Sequence, residues 1–115
     1  MVKSVLGVAH EGLRDWVIQR LSAIIMAVYM LSFMTYIVSS PELTFPEWHG
    51  LFSETWMKVA TLLFVVALAL HAWIGMWTVY TDYVKNYLVR AVLSFGTILM
   101  LAACVLWALM ILWSV

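Results

Sequence analysis

The sequence predicts an all-α membrane protein with three transmembrane helices. Hydrophobic residues make up 66% of the 115 residues and charged residues only 10%, whereas soluble domains usually carry about 25% charged residues. Three runs without a charged side chain are long enough to cross a bilayer, at residues 21–38, 59–80 and 91–115. Their apolar residues are continuous rather than alternating, which favours helices over the strands of a β-barrel.

We expect these helices at about residues 16–38, 58–80 and 88–113, within one domain that comprises residues 1–115. The connection between the first two contains Pro41 and Pro46, which are both predicted to break helical structure. Its aromatic residues are typical of a segment that lies along the membrane interface. The connection between the second and third helices, residues 81–90, is short and predicts a tight hairpin.

The distribution of Lys and Arg predicts the orientation in the membrane. One side would hold Lys3, Arg14, Arg20, Lys85 and Arg90, and the other side only Lys58. Because basic residues are enriched in cytoplasmic loops, we expect a cytoplasmic amino terminus and a periplasmic carboxyl terminus. The amino-terminal region contains acids, unlike a mitochondrial transit peptide, and the first apolar run is too long for the core of a cleavable signal peptide. The sequence therefore predicts a multi-pass protein of a bacterial inner membrane.

Charge and cysteine content exclude several classes of function. Net charge is zero and no run of basic residues is present, so we expect membrane lipid but no nucleic acid as a partner. The one cysteine, Cys104, lies in an apolar run and is interpreted as a small buried hydrophobic residue. A single cysteine forms neither an intrachain disulfide nor a cysteine-based zinc site.

A histidine inside the second apolar run is the strongest functional signal. His71 is the only Asp, Glu, Lys, Arg or His between residues 59 and 80, and the rise per residue places it near the middle of the membrane. Ionisable groups at that depth are costly and mark candidate functional sites. Helical periodicity places His71 on one stripe with Leu68, Gly75, Thr78 and Asp82. Gly75 has no side chain that would block a flat ligand beside the imidazole.

Three roles for His71 are open from spacing alone. A neutral imidazole can bind haem iron, relay protons, or hydrogen-bond a neighbouring helix as a packing residue. If it binds haem, a second axial ligand is needed, and His10 and His49 lie outside the predicted helices. Three methionines between residues 26 and 34 form a helical stripe, but such a stripe is more often packing surface than a ligand set. We therefore expect the second ligand to come from another polypeptide.

Polar residues at the predicted cytoplasmic side extend the candidate site. Arg20 stands at the start of the first run, where it could contact haem propionates or anchor the helix at the headgroups. Tyr83 could donate a hydrogen bond to a quinone carbonyl or belong to the aromatic belt. Asp82 could relay protons to the quinone, or it could cap the helix and neutralise Lys85.

The segment from His71 to Tyr83, HAWIGMWTVYTDY, resembles the signature of the hydrophobic membrane anchor subunits of bacterial succinate dehydrogenase, respiratory complex II. The sequence RLSA at residues 20–23, the three spans and the cytoplasmic amino terminus agree with that family, so the resemblance covers nearly the whole chain. It implies that His71 is an axial ligand of haem b and that the second ligand comes from the cytochrome b anchor subunit. It also implies that Arg20 helps to hold the haem propionates and that Tyr83, with Asp82 nearby, hydrogen-bonds ubiquinone.

The resemblance further implies an iron–sulfur subunit and a flavoprotein subunit on the cytoplasmic face. Electrons would pass from succinate through flavin and iron–sulfur clusters to ubiquinone, which links the tricarboxylic acid cycle to the respiratory chain. We expect the chain alone to catalyse nothing, because half of each site would belong to other subunits. The alternatives are the anchor of a fumarate reductase, a small proton-conducting membrane protein that depends on His71, and a purely structural membrane partner.

Overall fold

The computed structural model describes residues 8–115, with side chains from Gly12 onward. Within that part the chain forms four α-helices, which are α1 (Val8–Ser39), α2 (Phe45–Ser53), α3 (Thr55–Tyr83) and α4 (Tyr87–Ser114). Three of them, α1, α3 and α4, are long and apolar enough to cross a membrane. The predicted all-α fold with three transmembrane helices is therefore confirmed. Lys3, which contributes to the predicted orientation, lies outside the described residues, as does the side chain of His10.

The long helices extend beyond the uncharged runs that predicted them. Only residues 84–86 separate α3 from α4, so the connection is a tight hairpin, as expected, but a shorter one. Asn86 starts α4, because its side-chain oxygen accepts hydrogen bonds from the backbone N–H groups of Leu88 at 2.9 Å and Val89 at 3.2 Å. Charged residues mark where a span leaves the hydrocarbon, whereas helical hydrogen bonding continues beyond that point.

The connection between α1 and α3 contains the short helix α2. The prediction that Pro46 breaks helical structure was wrong, because Pro46 lies in the first turn of α2, where a backbone N–H has no intrahelical acceptor. Pro41 lies in the turn before α2, in agreement with the prediction. The backbone N–H of Thr44 donates to the Glu47 carboxylate at 3.4 Å, which helps to define the start of α2.

Helix α3 is the central element and packs against both other long helices. It contacts α1 through Tyr29 and Thr61, whose hydroxyl oxygens are 2.8 Å apart. It contacts α4 through Tyr80 and Thr97, whose hydroxyl oxygens are 2.7 Å apart. Each pair joins helices that run antiparallel, so the first residues of α1, the end of α3 and the start of α4 lie at one end of the bundle.

Small residues occupy four of the seven buried positions within the described part of the chain, and Met57, Tyr80 and Leu112 occupy the other three. Ser22, Ala67, Ser94 and Thr97 are each less than 10% exposed. Most large apolar side chains lie on the outer surface, as Leu31 does with 70% exposure. This distribution is typical of helices in lipid, where small residues allow close approach and apolar side chains face acyl tails or other subunits.

We expect the Tyr80→Phe substitution to weaken the contact between α3 and α4 by about 0.6–2 kcal/mol, the usual range for a hydrogen bond between membrane helices. Thr97 donates its hydroxyl proton to the Leu93 carbonyl at 2.8 Å, so Tyr80 is the donor in the pair and Thr97 keeps a partner in the variant. A double-mutant cycle with Thr97→Val, measured by unfolding in detergent, would isolate the coupling energy. A coupling of zero would contradict this assignment.

Candidate functional site

His71 lies on α3 and contacts α1 through both ring nitrogens. Its Nδ1 is 3.1 Å from Oγ of Ser22, and its Nε2 is 3.5 Å from the side-chain nitrogen of Gln19. The imidazole is half-buried, whereas Ser22 is only 3% exposed. The histidine is therefore held at the contact between the two helices and does not extend into lipid.

The partners of Ser22 determine which nitrogen of His71 carries the proton. Oγ of Ser22 is also 3.0 Å from the backbone carbonyl oxygen of Gln19, which can only accept. Because a hydroxyl has one proton, Ser22 donates to that carbonyl and accepts from Nδ1–H of His71. We therefore assign His71 as the Nδ1-protonated tautomer. This tautomer has its lone pair on Nε2, which makes Nε2 the nitrogen that can bind a metal.

The space beside His71 lies along the predicted stripe of α3. A Cβ atom added at Gly75 would meet nothing within 4 Å, so this position faces open space. Thr78 belongs to the same stripe, but its hydroxyl donates to the Ile74 carbonyl at 2.9 Å and is thus engaged within α3.

Arg20 follows Gln19 on α1, and its side chain is exposed. Its guanidinium carbon lies 5.4 Å from the centroid of the Trp16 ring, which is a cation–π contact. The sequence placed Arg20 at the start of a span, whereas α1 begins well before it, at Val8. Because Gln19 contacts the imidazole of His71, Arg20 lies at about the same level of the bundle as His71.

Asp82 and Tyr83 form the end of α3. Both side chains are exposed, and Tyr83 is 79% exposed. Tyr83 is twelve residues beyond His71, or about 18 Å along the helix axis. Among the described side chains no ion pair joins Asp82 to Lys85, because the one ion pair found there is between Arg14 and Asp15 at 3.8 Å. The polar groups of Asp82 and Tyr83 are thus accessible at one end of the bundle.

The other residues considered as ligands lie elsewhere. His49 is on α2, at the opposite end of the bundle from Tyr83, with its Nδ1 3.4 Å from Oγ of Ser53. Met30 and Met34 are 44% and 51% exposed, and they lie eight and twelve residues beyond Ser22 on α1, about 12 and 18 Å along the helix axis. The interpretation of Cys104 as a buried residue was wrong, because it is exposed on α4, outside the contact with α3.

The described part of the chain does not enclose a complete metal site. It contains no cluster of three His, Cys, Asp or Glu side chains that could hold a metal ion. Two clefts of about 490 Å³ each adjoin α1 and α3, and His71 lines neither of them. His71 is thus a single candidate donor, half-buried at the contact between α1 and α3, and a ligand set built on it would be shared with another chain.

Two residues of the site were not predicted from the sequence. Gln19 and Ser22 contact His71 from α1. Neither side chain is charged, so the search for ionisable residues in and beside the apolar runs did not identify them. Their spacing nevertheless carries a signal, since Asp15, Gln19 and Ser22 follow one another at intervals of four and three residues on one face of a helix.

Three helices that can span a membrane define a multi-pass membrane protein, and the comparison with known families identifies it as a membrane anchor subunit. Residues 3–111 match the family described as Succinate dehydrogenase/Fumarate reductase transmembrane subunit, and the chain belongs to this family. It is also similar to the succinate dehydrogenase hydrophobic membrane anchor subunit of Coxiella burnetii (strain RSA 493 / Nine Mile phase I). The two are 38% identical over 105 residues, which cover 91% of each chain. The resemblance carried by residues 71–83 is therefore confirmed.

Family membership also establishes the location and the kind of assembly. The three spanning helices and the bacterial anchor subunit among its relatives identify a multi-pass protein of the bacterial inner membrane, as predicted. A membrane anchor subunit of succinate dehydrogenase is by definition part of a complex with other subunits.

Proposed function

We propose that this chain is the haem- and quinone-binding anchor of a succinate:ubiquinone oxidoreductase, which links the tricarboxylic acid cycle to the respiratory chain. The observation that carries the proposal is His71, whose Nδ1–H is bonded to Ser22 and whose Nε2 retains a lone pair. The matched family includes fumarate reductase subunits, but the similar bacterial chain is a succinate dehydrogenase subunit. That similarity favours succinate oxidation over fumarate reduction.

The residues around His71 fit a haem b group. Nε2 would supply one nitrogen ligand to the haem iron, and Gly75, one turn along α3, faces open space. The second iron ligand would come from the cytochrome b anchor subunit, as the resemblance of this chain to its family implies. Arg20, which has no carboxylate partner within the described residues, would contact the haem propionates. When bound, haem b supplies a one-electron redox centre.

Asp82 and Tyr83 supply the quinone contacts in this proposal. The Tyr83 hydroxyl donates a hydrogen bond to a ubiquinone carbonyl oxygen, which becomes more basic as the ring is reduced. Asp82 is the adjacent acid, and it passes protons from water to the reduced oxygen. Both side chains are exposed, so a quinone and a further subunit can close over them.

The basic residues at one end of the bundle support the proposed orientation in the membrane and the proposed docking of the partner subunits. Arg14, Lys85 and Arg90 lie toward the end where α1 begins and α3 meets α4, and Arg20 lies in the half of α1 on that side. By the positive-inside rule that end faces the cytoplasm, and three spans then place the carboxyl terminus in the periplasm. The iron–sulfur subunit docks over Asp82 and Tyr83, and the flavoprotein subunit binds to the iron–sulfur subunit.

Purification of the tagged chain from its own membranes in mild detergent tests this function. We expect the three partner subunits to copurify, with a haem b band in the reduced-minus-oxidised spectrum and succinate-dependent reduction of ubiquinone. A colourless preparation of this chain alone, with proton flux in liposomes, would favour the proton-conducting alternative. Copurifying partners without haem would leave only a structural anchor.

A further inference from the structure

We propose that Ser22 is a positioning residue for the haem, because it holds His71 in one tautomer and one orientation and strengthens Nε2 as a ligand. The inference rests on the proposed role of His71 in haem binding. The sequence predicted that the haem would be held by His71 of α3, by Arg20 of α1 and by a partner subunit. The structure adds Ser22 of α1 to this site.

The burial of Ser22 requires that its hydroxyl be satisfied. Ser22 is 3% exposed and lies within an apolar run, where an unpaired hydroxyl is costly. It has two partners, the Gln19 carbonyl at 3.0 Å and Nδ1 of His71 at 3.1 Å. The first contact is within α1 and fixes the direction of the hydroxyl. The acceptor lone pair of Ser22 is thereby aimed at α3, where Nδ1–H of His71 meets it.

This contact has a known consequence for a histidine that binds a metal. Such histidines almost always donate their second ring N–H to an acceptor, which fixes the ring and raises its basicity. Here the acceptor is a hydroxyl that itself donates to a carbonyl, so the two hydrogen bonds polarise each other. A more basic Nε2 stabilises the ferric state relative to the ferrous state, so Ser22 lowers the midpoint potential of the haem.

Gln19 contacts the other ring nitrogen and has a different role. Its side-chain nitrogen is 3.5 Å from Nε2, at the outer limit of a hydrogen bond. Its side-chain oxygen is buried and has no partner among the described residues. The amide is therefore weakly held, and it must leave Nε2 when that nitrogen binds iron. Ser22 is the contact of His71 that persists in the haem-bound protein.

The test compares serine variants in the purified complex. Ser22→Ala should release haem to apomyoglobin about tenfold faster, within the range for loss of an outer-shell partner. Its haem should also have a more positive midpoint potential and a changed largest g value in the ferric low-spin signal. Ser22→Thr, which keeps the hydroxyl, should restore all three properties. Ser94→Ala is the matched control, because Ser94 is also buried but its hydroxyl has no partner among the described residues.

Each result decides the proposal. Wild-type haem release, potential and g values in Ser22→Ala would overturn it, as would equal changes in Ser94→Ala. If the Ser22→Ala complex does not assemble, the Ser22→Thr variant decides. Wild-type haem properties in Ser22→Thr would support the role of the hydroxyl, and failure of Ser22→Thr to assemble would overturn the proposal. Absence of haem from the wild-type complex would overturn both the proposed function and this inference. If His71→Leu removes the haem spectrum but Ser22→Ala leaves haem release, potential and g values unchanged, only this inference is overturned.

Discussion

Replacing His71 with leucine should remove the low-spin haem b spectrum from the complex. The substitution deletes the one imidazole among the described side chains that lies at the contact between α1 and α3, and leucine offers no atom that can bind iron. Loss of an axial ligand should cost more than the roughly 10–100-fold in affinity that follows loss of an outer-shell partner. Optical and electron paramagnetic resonance spectra of the purified complex, with haem content per copy of the chain, measure the effect.

A matched substitution on α2 controls for the loss of a histidine as such. His49 is exposed and at the far end of the bundle from Tyr83, so His49→Leu should leave the haem spectrum unchanged. Copurification of the partner subunits should be checked in both variants, because assembly without haem separates a ligand defect from a folding defect. A wild-type spectrum in His71→Leu would rule out His71 as the ligand.

The substitution Tyr83→Phe should lower kcat/KM for ubiquinone about tenfold, the effect of one lost hydrogen bond of roughly 1.4 kcal/mol. It removes only the hydroxyl from a side chain that is 79% exposed, so the fold of α3 should be unaffected. Succinate oxidation with an artificial soluble acceptor should continue at the wild-type rate, since that reaction bypasses the quinone. Steady-state assays with both acceptors measure the difference.

A second tyrosine at the same end of the bundle provides the control for Tyr83→Phe. Tyr87 is the first residue of α4 and is 76% exposed, which makes its environment similar. Tyr87→Phe should leave ubiquinone reduction unchanged. Equal activity of the Tyr83 and Tyr87 variants with ubiquinone would show that the Tyr83 hydroxyl has no direct role in quinone binding.

The helices were predictable from the sequence because lipid leaves few alternatives to a helix for a continuous apolar run. The bounds were less predictable, since Arg20 ends the apolar run at residues 21–38 but remains helical within α1. The short helix α2 was missed for a different reason. Proline is a poor residue in the middle of a helix but a good one in its first turn, and Pro46 occupies the first turn.

The candidate site was predictable where a residue is costly in its surroundings. His71 was identified because an ionisable imidazole in an apolar run is energetically costly and is usually kept for a function. The uncharged side chains of Ser22 and Gln19 cost far less free energy in a membrane helix than an ionisable group does, so the sequence did not single them out as functional. Their contact with His71 depends on which face of α1 packs against α3, and that is decided by the packing of Tyr29 on Thr61 and its neighbours. Such packing is a property of two helices together and is weakly encoded in either one.

Helix α3 runs without interruption from Thr55 to Tyr83, and this continuity has a consequence for how the gene can change. Insertion of one residue between His71 and Tyr83 would turn the tyrosine by about 100° around the helix axis and shift it by about 1.5 Å. An exchange of one apolar side chain for another in the same stretch changes neither quantity. Evolution of this segment should therefore tolerate substitutions far better than insertions or deletions.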